Sequence, residues 1–288
     1  MSNPFFNERK MEQDRRNAGE AGWGAPTGMP GQAAGTAVMG DQLLGQAPVT
    51  DGPISRHEKA MTVNGTISAS ATLLILLLIS ASFGWFAASG PSGPEGQETY
   101  QFPALATIGI VVGFAAVIAA YFKPTWAKVL GPLYAVGYGF AVGAISKGYN
   151  TFYDGIVLQA AGATAAVFAA MLILYRTGVI RVTERFRKIV IGATMGVMLL
   201  YVVSFVIGLF GAEAPFINEP SLLGIGFSIF VCGLAAMNLA LDFDLIERGV
   251  AQRFPKSYEW VAAMGLVVTI VWLYLELLRL LAKLQSRD

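Results

Sequence analysis

Seven long apolar tracts fill the sequence from about residue 61 onward and leave few folds open to it. Each tract is long enough to cross a bilayer, because about 20 apolar residues in an α-helix span a hydrocarbon core of about 30 Å. We place the tracts at residues 62–88, 103–122, 128–147, 155–176, 188–211, 221–246 and 259–283. The sequence therefore predicts an all-α polytopic membrane protein with seven transmembrane helices.

Short polar segments separate the tracts and predict the loops. Each segment holds turn residues or charges, as expected where a chain leaves a bilayer. The segments are residues 90–94, 123–124, 147–150, 181–188, 214–220 and 248–256. Small residues recur in the third and fourth tracts and predict close packing of helix backbones there; they include Gly131, Gly137, Gly139, Gly143 and residues 160–163.

The N-terminal region differs from the rest of the chain. Residues 1–58 are rich in Gly, Pro, Ala and Gln, and they show neither a helical nor a strand period. Such a segment cannot bury enough apolar surface to offset the entropy of ordering, so we expect a disordered cytoplasmic arm. Residues 59–288 then form the transmembrane domain. Its first apolar run is too long, and starts too late, to be a cleaved signal peptide.

The distribution of positive charge predicts the orientation. Sixteen of the 20 Lys and Arg residues lie in the arm and in the loops on its side of the membrane. Cytoplasmic loops are enriched in Lys and Arg, which places the N-terminus in the cytoplasm. The tail is an exception, because Arg279, Lys283 and Arg287 would emerge on the other side if the seventh tract crosses completely. A complete crossing is favoured, and a re-entrant segment that returns to the cytoplasm is the alternative.

Two acidic residues, Asp242 and Glu276, stand out because they lie within apolar tracts rather than in the loops or the arm. A charged side chain deep in a bilayer costs at least about 2.5–3.5 kcal/mol, and such residues mark ion and proton pathways. Burial and a neighbouring like charge both favour the protonated form of a carboxyl group. Two carboxyl groups in contact would share a proton, which predicts a pH-sensing gate. Asp244, Arg279 and Asn238 are auxiliary residues of such a gate.

Other interpretations of these residues stay open. Asp242 could instead extend with Asp244 and its neighbours into the lipid headgroups, and Glu276 could pair with Arg279, which shares its helix face. If the sixth helix ends near residue 249 and the seventh begins near 258, Glu276 lies about 16 Å deeper than Asp242, and direct contact fails. Asn238 is also interpreted as a residue that packs one helix against another.

The sequence gives no support to an enzyme or a nucleic-acid-binding protein. It contains no nucleophile elbow, Walker loop, zinc-protease motif or dinucleotide fingerprint, so we expect neither catalysis nor a cofactor. No basic domain suggests nucleic acid. The one cysteine, Cys232, can form neither an intrachain disulfide nor a cysteine-built metal site. No metal ligands are assigned.

Three segments carry a resemblance to a known family. The first reads LDFDLI at residues 241–246, the second reads WLYLELLRLL at 272–281, and the third covers residues 139–168. In their order and spacing they resemble the Bax inhibitor-1 family, in its bacterial branch, over about residues 60–283 and leaving the arm outside. The family pattern closes with an Asp-bearing sixth helix and a Leu-Tyr-Leu-acid segment in the seventh.

The resemblance implies six helices around a seventh and a pH-sensitive Ca²⁺ leak in the cytoplasmic membrane of a bacterium. It assigns the gating carboxyl groups to Asp242 and Glu276. Two features depart from the pattern: the second acid is Glu rather than Asp, and 34 positions separate the two acids. The second tract contains no Lys or Arg, so no basic partner is carried over to it.

The resemblance and the tracts together imply the partners. They are the lipid bilayer and cations such as Ca²⁺ or H⁺. A function of a different class is a non-conducting membrane regulator of a protease or of a stress-response partner. Such a regulator would bind a protein through the arm or through the Arg176–Lys188 loop, which carries five positive charges. A proton-coupled transporter is a weaker third option, because it should show internal repeats, and none is visible.

Overall fold

The computed structural model describes residues 60–89, 100–209 and 219–287, and the predicted arm lies outside these residues. The described chain forms seven long helices, and a single turn of 3₁₀ helix at Pro124–Trp126 precedes the third. The helices are α1 (Val63–Ala87), α2 (Ala104–Phe122), α3 (Ala127–Phe152), α4 (Ile156–Arg176), α5 (Glu184–Leu209), α6 (Leu222–Ala251) and α7 (Tyr258–Gln285). All seven are long and apolar enough to cross a membrane, which confirms the predicted fold class.

The third helix is longer than its apolar tract. It continues to Phe152, so the loop predicted at residues 147–150 is wrong. Aromatic contacts explain the extension: the Lys147 ammonium lies 5.2 Å from the centre of the Trp85 ring, and Gly148 leaves room for the Tyr100 ring. The chain turns instead at Gly155, whose φ of 75° is a backbone conformation that glycine adopts readily.

Two further loops are shorter than predicted. Helix α5 begins at Glu184 and α6 continues to Ala251, so much of the predicted loops at 181–188 and 248–256 is helical. Apolar length alone made both helices too short, because their terminal turns are charged and the charges pair between helices. Arg187 of α5, for example, binds Asp244 of α6 at 2.7 Å.

Helix α7 occupies the centre of the bundle. In its most apolar window 61% of the residues are buried, compared with 12% in α5. It packs against α1, α3, α4 and α6, whereas α5 lies at the periphery and packs mainly against α6. Val267 joins α7 to a core shared with α1 and α3, and Leu273 joins it to a core shared with α4 and α6. The prediction of a seventh helix packed among the others is confirmed.

Small residues bring α1 and α3 together, as predicted for the third tract. A Cβ atom on Gly143 would collide with the carbonyl oxygen of Ala81, and one on Gly139 would stand 2.6 Å from the carbonyl oxygen of Leu77. The helix backbones therefore touch. In α4 the expectation holds only in part: Ala160 is buried, but the surroundings of Gly162 are open.

Helices that follow one another in the chain run in opposite directions, which gives the bundle two distinct ends. At one end the Met61 amide donates to the carbonyl oxygen of Phe254 at 2.7 Å, so the start of α1 meets the α6–α7 turn. We call this the basic end, because residues 123–128, 176–188 and 248–256 carry its positive charges. The other is the opposite end.

Candidate functional site

Asp242 lies in the interior of α6, nine residues before the helix ends. Its Oδ2 atom is buried and has no hydrogen-bond partner within the described part of the chain. Its Oδ1 atom lies 3.6 Å from the point where a Cβ on Gly265 would stand, and Thr269 lies beside the same carboxyl group. The side chain therefore faces α7. The interpretation in which Asp242 extends into the headgroups does not fit this position.

Glu276 is buried on α7 and is fully engaged. The Tyr201 hydroxyl of α5 donates to its Oε1 atom at 2.8 Å, and Arg279 donates to the same atom at 3.1 Å. Arg279 also donates to the Tyr201 oxygen at 2.9 Å, which closes a triangle of three polar side chains. The alternative that paired Glu276 with Arg279 is confirmed, and Tyr201 is the partner that the sequence did not reveal.

The structure does not bring the two carboxyl groups together. Asp242 faces Gly265, and Glu276 follows Gly265 by eleven residues on α7, or about 16 Å along the helix axis. The short α6–α7 turn explains the separation. Two residues of antiparallel helices lie at the same depth when they are equally far from the turn that joins the helices. Asp242 lies nine residues from its end of the turn, whereas Glu276 lies eighteen from the other. A shared proton is therefore not available to this pair.

Both carboxyl groups nevertheless lie along one feature, a polar stripe on α7, which Glu276 belongs to and Asp242 faces from α6. The stripe consists of Thr269, Trp272, Glu276, Arg279 and Lys283, which recur at alternating intervals of three and four residues. This spacing places them on one face of a helix. The indole nitrogen of Trp272 is a second buried polar atom that has no partner among the described residues. The stripe begins where Asp242 meets α7 and runs toward the opposite end.

Lys283 ends the stripe. It is 4% exposed, and its ammonium donates to the Ser228 hydroxyl at 2.9 Å and to the Gly224 carbonyl oxygen at 3.0 Å, both on α6. Helix α7 runs without a break to Gln285 and is long and apolar enough to cross a membrane, which agrees with a complete crossing rather than a re-entrant segment. Arg279 and Lys283 turn into the bundle, which explains why they depart from the charge pattern of the loops.

Two predicted auxiliary residues join α6 to α5. Asp244 binds Arg187 at 2.7 Å and Arg248 at 3.0 Å. The Asn238 amide donates to the Thr194 hydroxyl at 2.8 Å, in agreement with its interpretation as a packing residue. These contacts hold the peripheral helix α5 against the bundle.

One buried carboxylate escaped the sequence analysis because it lies at the border of the seventh tract. Glu259, in the first turn of α7, is 3% exposed. It accepts hydrogen bonds from the backbone amide of Thr62 at 3.0 Å and from the Thr62 hydroxyl at 2.9 Å. The start of α1 is thereby fixed to the start of α7. The partners are 197 residues apart, so no local pattern could have indicated the contact.

Fold and site together define a class, the polytopic α-helical membrane protein with buried ionisable groups along its central helix. Within the described residues, no group of three or more His, Cys, Asp or Glu side chains is placed to hold a metal ion. The family model described as Bax inhibitor 1 like matches residues 3–286. The chain therefore belongs to the Bax inhibitor 1 like family. The match includes most of the N-terminal arm, so the expectation that the arm lies outside it is wrong. A search of curated proteins gave no significant match.

Proposed function

We propose that the protein is a pH-sensitive cation leak, with Ca²⁺ as the favoured cation. The observation that carries the proposal is the buried Oδ2 atom of Asp242, which faces the central helix without a hydrogen-bond partner among the described residues. A buried polar atom left unpaired costs free energy, and intramembrane carboxyl groups commonly mark ion pathways. Membership of a family of membrane proteins agrees with such a role.

The free oxygen atom of Asp242 gives the leak a binding position for a cation or a proton. Carboxylate oxygens suit a hard cation such as Ca²⁺, and conduction requires binding that is weak enough to allow release. At acid pH the carboxyl group is neutral and loses its attraction for cations. At higher pH it becomes charged, and the attraction returns. The polar stripe provides the route onward from this position.

Glu276 supplies a second titratable position further along the route. In its charged form it holds Arg279 and Tyr201 in the triangle described above. Loss of the Glu276 charge, as in Glu276→Gln, removes the attraction that holds Arg279, so Tyr201 and the peripheral helix α5 lose one of their attachments to α7. The gate we propose thus has two separate carboxyl groups instead of one shared pair.

Ion flux into proteoliposomes tests the proposal. We expect the wild-type Ca²⁺ flux to change between mildly acidic and mildly alkaline pH. We expect Asp242→Asn to hold the flux near its acid-pH value throughout, because Asn mimics the neutral carboxyl group. Glu276→Gln should shift the pH response as well. The matched control is Asp154→Asn, which neutralises an exposed acid in the α3–α4 turn and should behave as the wild type does. A flux that changes neither with pH nor in Asp242→Asn and Glu276→Gln would rule out this mechanism.

A non-conducting regulator is the second candidate, and one surface favours it. Arg176, Arg181, Arg185 and Lys188 are exposed around the α4–α5 turn, where they could bind an acidic partner. Deletion of residues 1–58 would separate the two candidates. A deletion variant that conducts normally but no longer supports the cellular phenotype would favour the regulator.

We also propose that the protein lies in the cytoplasmic membrane of a bacterial cell with its basic end and N-terminus in the cytoplasm. The positive-inside pattern supports this orientation. Two of the three charges of the tail no longer count against it, since Arg279 and Lys283 bind groups inside the bundle.

A further inference from the structure

We infer that Lys283 is the charge that opposes cations at the far end of the polar stripe and thereby limits the cation permeability of the leak. The inference rests on the proposed function, because it assigns a selectivity-determining residue to the same route. Lys283 is not part of the predicted gate and does not bind either of its carboxyl groups.

The first argument is that the Lys283 charge is not neutralised by its neighbours. Its ammonium binds a hydroxyl and a carbonyl oxygen, which are both neutral. Within the described residues, the ion pairs of α7 include Glu276 with Arg279 but none that involves Lys283. The Glu276–Arg279 pair is neutral overall, so Lys283 gives the residues of the stripe a net positive charge.

The second argument is the position of the lysine relative to α6. Gly224 and Ser228, its two acceptors, lie in the first two turns of that helix. The N-terminus of a helix carries a partial positive charge, so an acidic residue would be favourable there and a lysine is not. Lys283 also lies in the last turn of α7, where a helix C-terminus favours a lysine. Its ammonium nevertheless reaches α6, so its charge adds to the positive potential of the α6 N-terminus.

The third argument is burial. Lys283 and Ser228 are almost inaccessible to water, so salt screens the charge poorly. Basic side chains that line a pore favour anions and oppose cations. A cation that enters at Asp242 meets this charge before it can leave by the opposite end, which makes Lys283 a barrier to cation passage.

The test measures Ca²⁺ flux and the cation-to-anion permeability ratio in proteoliposomes, the ratio from reversal potentials under a salt gradient. We expect Lys283→Gln to raise both several-fold. Lys283→Arg, which keeps the charge, should preserve the wild-type ratio. Arg287→Gln is the matched control, because it removes an exposed positive charge from the same end and should change neither quantity.

A second variant guards against misfolding of Lys283→Gln. Ser228→Asp leaves the lysine in place and sets a carboxylate against its ammonium, so it should raise the permeability ratio in the same direction. Unchanged ratios in Ser228→Asp and in folded Lys283→Gln, together with pH-dependent wild-type flux, would overturn the inference and leave the proposed leak standing. If the wild type and every variant conduct no better than protein-free liposomes, the proposed function itself fails.

Discussion

At the scale of single residues, Glu276 shows how the hydrogen bonds of a buried carboxyl group are satisfied inside an apolar bundle. Its two partners lie on different helices: Arg279 is one turn away on α7, and Tyr201 is on the peripheral helix α5. The network therefore fixes the Glu276 side chain and also links two helices that otherwise share few contacts.

We expect Glu276→Ala to destabilise the protein by about 2–3 kcal/mol, since the loss of one partner leaves the other charge uncompensated. This loss of stability is smaller than the loss expected for a fully buried ion pair, because the Arg279 side chain is 31% exposed. Thermal unfolding in detergent micelles measures the effect. The double variant Glu276→Met with Arg279→Met should recover most of the loss, and a double variant as unstable as the sum of the single variants would contradict a direct pair.

Asp242 should behave in the opposite way. Because its buried oxygen atom has no partner among the described residues, we expect Asp242→Asn to leave stability unchanged or to raise it by up to about 1 kcal/mol. Asp244→Asn is the matched control and should lower stability, since Asp244 binds two arginines. A marked loss of stability in Asp242→Asn would mean that the carboxyl group is structural.

The sequence revealed these two acids but few of their partners, and the reason is physical. A charge within an apolar tract can be recognised in the sequence because its insertion into a bilayer costs free energy at any position. The pairing of Glu276 with Arg279 can be predicted because residues three apart share a helix face. Tyr201 and Glu276 are 75 residues apart, and packing alone determines that they meet. The separation of Asp242 from Glu276, by contrast, was one of the alternatives left open by the sequence, because it follows from where α6 ends and α7 begins.

At the scale of helices, the contact between α1 and α3 depends on glycine. We expect Gly143→Ala to destabilise the bundle by about 1–3 kcal/mol, because the added methyl group would overlap the carbonyl oxygen of Ala81 and force the helices apart. Gly162→Ala is the control in α4, where the surroundings are open. It should be neutral or slightly stabilising, as alanine favours helices. Equal melting temperatures for the two variants would contradict the close approach.

The helices themselves were largely predictable, since the bilayer thickness fixes how many apolar residues a span needs. The errors cluster where polar residues continue a helix. Lys147 in α3 and Arg187 in α5 look like loop residues in the sequence, yet both are helical and contact aromatic or acidic side chains of other helices. Apolar length predicts the spans, and the contacts of the charged ends decide where the helices stop.

At the scale of the whole molecule, the proposed orientation predicts which residues face which compartment. In a Cys232→Ser background, we expect a membrane-impermeant maleimide to label Asp154→Cys in intact cells and Lys128→Cys only after permeabilisation. Both positions are exposed, at opposite ends of the bundle. The reverse pattern would place the basic end outside the cell and refute the orientation.

The hydrogen bonds between Thr62 and Glu259 have a mechanical consequence. Thr62 stands directly before α1, and its amide and hydroxyl groups are bonded to Glu259 in the first turn of α7. A protein that grips the leading segment of the chain would thus pull on the innermost helix as well as on the outer helix it enters. In the proposed orientation, a pull from the cytoplasm and the titration of Asp242, which faces α7, would then both act on the central helix.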